Sequence, residues 1–134
     1  MKLVLDTNVL IAAFAARGLC SELFRLCLDR HEIVSSSELL DEFERNLVKK
    51  LKLPRPAAAD VTAWLRQHTS VLTPGPVAAS SCRDASDLHV LGLAAAAKAS
   101  FIASGDKDLL ILKRFKRIPV FSPPQAWQYL KHRG

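Results

Sequence analysis

Apolar positions along the chain fall into short continuous runs that alternate with longer stripes at helical spacing, and this alternation predicts the elements. Lys2 to Leu5 is a short apolar run closed by Asp6-Thr7-Asn8, residue types that cap helices, and Val9 to Ala16 continues as an apolar helix. Gly18 stops that helix, after which Leu23, Phe24, Cys27 and Leu28 recur at helical spacing between Ser21 and Arg30. His31 to Val34 reads as a second strand. Ser35, Ser36 and Ser37 offer caps for a helix running to about Leu51, with Leu39, Leu40, Phe43, Leu47 and Leu51 as its buried stripe and Pro54 as its end. Pro56 to His68 reads as a helix opened by a proline in its first turn and carrying Val61, Trp64 and Leu65. Val71-Leu72 is a short strand and Thr73 to Ser81 a loop. A helix then starts near Asp84 and runs to about Lys98, and the strand Phe101 to Ala103 ends at Ser104-Gly105-Asp106. Leu109 to Phe115 is expected to be helical, Val120-Phe121 a last strand, and Pro123-Pro124 the opening of a terminal helix with Trp127, Tyr129 and Leu130.

Apolar strands alternating with helices predict a parallel sheet covered on both faces, an α/β fold of the three-layer α/β/α sandwich type. At 134 residues the chain reads as a single domain, 1–134, without repeats or a linker. With 49% hydrophobic and 24% charged residues its composition is that of a globular protein, which excludes disordered and fibrous classes. No apolar run approaches the roughly 20 residues that span a bilayer. Met1-Lys2-Leu3-Val4-Leu5-Asp6 lacks the layout of a secretory signal, so a cytoplasmic protein is expected. Cys20, Cys27 and Cys82 are odd in number and lack a C-x-x-C spacing, which points to inert thiols and not to disulfides or zinc. The charge changes the picture more. Nineteen Lys and Arg against thirteen Asp and Glu give a net charge of +6, which favours a polyanionic partner such as nucleic acid.

In an open α/β sheet the ligand site lies outside the carboxyl ends of the strands. Asp6 follows the first strand, Asp106 the penultimate one, and Asp87 stands at a helix start; Asp6 or Asp106 taken alone also reads as a helix cap. Asp84 reads as a cap with Asp87 three positions later. Asp87 carries more information, because Val90, Leu91 and Ala94 at i+3, i+4 and i+7 put it in line with the inward stripe of its helix. In the helix after the second strand, periodicity does not choose between Glu38, Asp41, Glu42 and Glu44. Carboxylates gathered within a few Å repel by about 4 kcal/mol per pair at an effective dielectric of about 20, and a divalent cation resolves that repulsion. Oxygen ligands without a His/Cys cluster select Mg2+ or Mn2+ over zinc.

Leu3-Val4-Leu5-Asp6-Thr7-Asn8-Val9-Leu10, Leu39-Leu40-Asp41-Glu42-Phe43-Glu44-Arg45-Asn46-Leu47, Asp84-Ala85-Ser86-Asp87-Leu88-His89-Val90-Leu91 and Ile102-Ala103-Ser104-Gly105-Asp106-Lys107-Asp108-Leu109-Leu110 resemble the ordered motifs of PIN-domain ribonucleases. Their order and spacing, and the length of the chain, resemble the single-domain PIN toxins of prokaryotic toxin-antitoxin pairs, the VapC-type toxins among them. The resemblance implies a PIN-like fold and a divalent-metal-dependent endoribonuclease. It selects Glu42 from its neighbours and makes Asp6, Glu42, Asp87 and Asp106 the catalytic, metal-binding acids. Asn8 and Ser104 match polar positions beside the metal, and Asp84 and Asp108 are accessory acids. Ala85-Ser86 stand where relatives often carry further acids. The implied partners are RNA, a cognate antitoxin protein and a second copy of the chain as a homodimer. The implied products carry 5′-phosphate and 3′-hydroxyl ends.

Lys113-Arg114-Phe115-Lys116-Arg117 and Lys49-Lys50-Leu51-Lys52 read as phosphate-tracking runs or as solvated helix ends. His31, His68, His89 and His132 are scattered without ligand spacing and read as surface or core residues. Trp64 and Trp127 are expected in helix interfaces, and the stripe Leu19, Leu23, Phe24, Cys27 and Leu28 is expected to exceed what the core absorbs. Two other classes compete with the nuclease. A catalytically silent PIN-like module binding RNA or protein needs only the fold and the charge, and the four acids argue against it. A receiver-like phosphoryl-transfer domain would want paired acids after the first strand and a lysine after the last, which this chain lacks.

Overall fold

Residues 1–132 are described by the computed structural model, and their backbone follows the alternating pattern. Strand β1 (Lys2–Leu5) pairs in parallel with β2 (Glu32–Ser35) on one side and with β4 (Phe101–Ala103) on the other. Strand β3 (Ser70–Val71) lies beyond β2 and β6 (Ile118–Phe121) beyond β4, both parallel. The edge strand β5 (Arg114–Phe115) runs antiparallel to β6, which gives the order β3-β2-β1-β4-β6-β5. Helices α1 (Thr7–Ala15) and α2 (Leu19–Arg30) connect β1 to β2, and α3 (Ser37–Lys49) and α4 (Arg55–His68) connect β2 to β3. Helix α5 (Leu88–Ala97) precedes β4, α6 (Lys107–Leu110) follows it, and α7 (Pro123–His132) packs on β4 and β6.

Successive strand residues point to opposite faces, yet Leu3, Val4 and Leu5 are all no more than 1% exposed. Both faces of the sheet are therefore covered, as the expected three-layer α/β/α sandwich requires. Of the stripe expected on α3, Leu39, Leu40, Phe43 and Leu47 are buried and each contribute roughly 1.5–3 kcal/mol of hydrophobic stabilisation, while the helix ends at Lys49 and leaves Leu51 half-buried beyond it. Ser36 caps that helix by accepting from the Leu39 amide at 3.1 Å. Among the described residues no helix is long and apolar enough to cross a membrane.

Four local expectations change. The helix expected over Leu109–Phe115 stops at Leu110, and Arg114–Phe115 instead form a hairpin with β6. Lys113 ends the helical path with a positive φ of 61°. Lys116 and Arg117 then fill the turn with φ of 47° and 69°, the both-positive pattern of a two-residue hairpin turn that is ordinarily announced by Asn-Gly. The basic run is thus a hairpin and not a helix end. Near Asp84 the chain makes one 3-10 turn, Ala85–Asp87, before α5, because the Asp84 carboxylate accepts from the Ser86 amide at 3.0 Å and holds the turn tight. Within α2 the core absorbs Leu23, Phe24 and Cys27, and only Leu19 of that stripe remains strongly exposed. Trp64 packs against Phe14 and Phe24 as expected of a helix interface, and Phe14 and Trp64 remain 37% and 38% exposed.

From β1 the chain moves outward to β2 and β3, then returns to build β4 and β6 on the other side. The switch point lies between β1 and β4, where a crevice forms at the carboxyl ends of the strands. Asp6 leaves β1 at that point, and Ser104-Gly105-Asp106 leave β4 beside it.

Candidate active site

Asp6 is fixed from three directions. Its amide donates to the Ala103 carbonyl at 3.0 Å, so the β1–β4 ladder carries it. Its Oδ1 caps α1 by accepting from the Val9 amide at 2.9 Å, and its Oδ2 accepts from the Ser104 hydroxyl. Ser104 is fully buried, and its Oγ also accepts from the Asp106 amide at 2.9 Å, so one hydroxyl ties the two strand-end acids together. Asp106 in turn caps α6 by accepting from the Asp108 amide at 2.8 Å. The cap reading of both acids holds, and both residues also line the crevice.

Asp6, Glu42, Asp87 and Asp106 converge on one cleft of about 370 Å³, with Asn8, Arg45, Asn46, Lys50, Ser86 and His89 also lining it. Of the other sequence candidates, Ser104 is buried behind the cleft lining and hydrogen-bonded to Asp6. Asp84 and Asp108 stand outside the cleft lining, but their carboxylates and that of Asp87 place oxygens within 4.8 Å of one another. Asp87 therefore joins the cleft to this second acidic group. The acids of α3 divide, with Glu42 in the cleft while Asp41 and Glu44 line a separate groove with Arg55. Hydrophobic periodicity carried no signal for Glu42, because a residue facing a polar cleft belongs to neither the apolar stripe nor the open surface.

The electrostatics follow from crowding and burial. Burial pushes the Asp6 carboxyl up to about 6, with the negative charges of Asp106 and Glu42 adding to it against the hydrogen bonds from Ser104 and Val9. Asp87 is pushed up to about 7, first by burial and then by Asp106 and Asp84. Its Oδ2 is buried without a hydrogen-bond partner. Glu42 is held below the usual carboxylate range, chiefly by a hydrogen bond from His89 whose Nε2 lies 3.4 Å from Oε2. Burial alone lowers His89, but the hydrogen bond to Glu42 and the charges of Glu38, Glu42 and Asp87 outweigh it and raise this imidazole. Positive charge sits at the cleft as well, since Arg45 lines it and Lys50 Nζ donates to Asn8 Oδ1 at 3.3 Å.

These residues fit a hard divalent cation. The donors lining the cleft are carboxylate oxygens, one buried oxygen of Asp87 has no partner, and burial with mutual repulsion raises the Asp6 and Asp87 carboxyls, a cost that a bound cation would relieve. Sequence reading missed His89, which it placed with the surface or core histidines, and missed Arg45 and Asn46. The signal for α3 was available, because Glu42, Asn46 and Lys50 stand at i, i+4 and i+8 and form one polar edge. His89 carried no such signal, its partner being 47 positions away.

The family model described as PIN domain matches residues 2–108. Among solved structures, the chain is similar to VapBC2 from Rickettsia felis bound to a DNA fragment from its promoter, with a TM-score of 0.63 and 15% identity over 91% of this chain and 98% of that one. It is similar to VapBC-1 from nontypeable Haemophilus influenzae, with a TM-score of 0.60 and 16% identity over 92% of this chain and 99% of that one. FitAcB from Neisseria gonorrhoeae matches with a TM-score of 0.54 and 16% identity over 90% and 97% of the two chains. At such identities the likeness is one of fold. No curated protein matches in sequence.

Proposed function

The chain belongs to the PIN-domain family, and from that premise we propose that it is a divalent-metal-dependent endoribonuclease, the toxin of a toxin-antitoxin pair. The observation that carries the reading is the convergence of Asp6, Glu42, Asp87 and Asp106 on one cleft with Asp87 Oδ2 buried and unpartnered. Asp6 and Asp106 would be direct ligands of Mg2+ or Mn2+, Asp87 would bind the ion directly or through water, and Glu42 would complete the metal-holding group by taking a second ion or orienting the attacking water. A divalent cation bound there supplies charge neutralisation at the phosphate and lowers the pKa of water. Ser104 keeps Asp6 and Asp106 in register through its single hydroxyl. Asn8, Asp84 and Asp108 support the rim of the acidic group, and Arg45 and Lys50 meet flanking phosphates of the RNA. The water oxygen bonds to phosphorus, the P–O3′ bond breaks, and the products carry 5′-phosphate and 3′-hydroxyl ends.

Two of the similar structures are VapBC assemblies, which supports a cognate antitoxin as partner, and a homodimer is the proposed assembly. Cys20, Cys27 and Cys82 are free thiols, as a reducing compartment keeps them, and the proposed place of action is the cytoplasm. The reading is tested by incubating the purified chain with labelled single-stranded RNA in Mg2+ or Mn2+, in EDTA, and as Asp6→Asn. Cutting that needs the metal and disappears in the variant supports it. Equal inactivity of both proteins, with RNA still bound and antitoxin carry-over excluded, overturns it in favour of a binding module.

A further inference from the structure

The side chain of His89 is 7% exposed and sits at the start of α5 among residues that are themselves core, Val90, Leu91, Leu93 and Ala94. An imidazole buried there carries a desolvation cost that an apolar side chain would avoid, and packing alone does not account for it. Its Nδ1 is buried without a partner, so its polar contact within the cleft is the one from Nε2 to Glu42 Oε2 at 3.4 Å. Glu42 is the opposite case. It is 37% exposed at its side chain, long and rotatable, and it reaches the cleft from α3 while the other three acids come from strand ends and the 3-10 turn before α5. Thr7 also hydrogen-bonds this carboxylate and the charge of Arg45 lies near it, but the hydrogen bond from His89 is the strongest influence on it.

We propose that His89 is a positioning residue: through its Nε2–H it holds the Glu42 carboxylate in the cleft and so sets how tightly the acidic group takes a divalent cation. The proposal rests on the reading of the cleft as a metal centre. The Nε2–H donates in the imidazolium and in one neutral tautomer alike, so the role is one of geometry and needs no change of protonation. A carboxylate that holds a metal is itself commonly held by a hydrogen bond from outside the ligand set, and removing that outer partner typically costs about 10–100-fold in metal affinity or activity. Helix α5 thereby couples to the site twice, through Asp87 at its N-cap and through His89 two residues on, and α3 is drawn to it by the same contact.

The test is Mn2+ uptake at one fixed pH, followed by the electron paramagnetic resonance of free Mn2+, in the full chain. His89→Ala is expected to bind Mn2+ about tenfold more weakly than the parent. His89→Gln, whose Nε2 returns an N–H donor at similar reach, is expected to recover most of that loss. In a Glu42→Gln background His89→Ala is expected to add nothing further, because the residue acts through Glu42. Thermal melts of each variant show that it is folded at the temperature of the titration, and His89→Leu, which fills more of the space without an N–H donor and is expected to show the same loss, serves if His89→Ala is not folded. Unchanged Mn2+ affinity in His89→Ala overturns the inference, as does a full loss that persists beside Glu42→Gln, which would make His89 a ligand in its own right. A parent chain that takes up no Mn2+ overturns the metal reading itself and this inference with it.

Discussion

Burial of the Asp6 carboxyl against Asp106 and Glu42 makes this residue costly to the folded chain when no cation is present. Its folded value of about 6 lies above the ordinary 3.8, so between those values the folded chain keeps a proton that the unfolded chain has released. Stability of the metal-free protein therefore falls as pH rises through that window, by on the order of 3 kcal/mol once pH is above about 6. Asp87 acts in the same direction up to about 7. Asp6→Asn is expected to melt several degrees higher than the parent at pH 8 in EDTA and to differ little from it near pH 4. Melting curves across that range check this, and equal curves throughout would remove the crowding argument. At this scale the sequence displayed Asp6 and Asp106, because the residue after a parallel strand points to the crevice, and it displayed Asp87 through the inward stripe of α5. Choosing Glu42 needed the family resemblance. His89 was out of reach, since one residue's partner across the fold leaves no local pattern.

Elements were legible where periodicity and caps agreed. The α3 stripe from Leu39 to Leu47, the proline at the start of α4 and the apolar runs of β1 and β4 all lie where the pattern put them, and strand ends moved by one or two residues. The edge hairpin was not legible, because Lys116 and Arg117 adopt the turn without the glycine or asparagine that ordinarily marks it. Tight contact between elements was hidden as well. Gly92 of α5 accepts from the Gly75 amide at 3.0 Å, and a methyl group at Gly92 would lie inside contact distance of the Gly75 carbonyl oxygen. Gly92→Ala is expected to force this loop off α5 and to destabilise the fold by about 1–3 kcal/mol, read as a lowered denaturation midpoint. An unchanged midpoint would mean that the loop yields freely and does not brace α5.

Taken as a whole, the molecule combines a net charge of +6 with a cleft lined by four acids, and the two are reconciled by where the cations stand. Arg45 and Lys50 line the same cleft as the acids and would offer positive charge to a bound phosphate chain. Lys50→Ala, placed in the uncleaving Asp6→Asn background, is expected to weaken binding of single-stranded RNA and to flatten the dependence of log affinity on log salt by about 0.7, the value of one phosphate contact. Fluorescence anisotropy at several salt concentrations reads that slope, and an unaltered slope would take Lys50 off the RNA path. The net charge was visible in the composition, but which of the cations face the cleft was not, since the Lys49–Lys52 run contributes Lys50 and the Lys113–Arg117 run became a hairpin. The most direct measurement of the central claim is the chemistry of the ends left when the antitoxin-free protein cuts labelled single-stranded RNA with Mn2+. Hydrolysis at the four-acid centre predicts 5′-phosphate and 3′-hydroxyl ends whose appearance stops in EDTA; 2′,3′-cyclic phosphate ends, or cutting indifferent to EDTA, would contradict it.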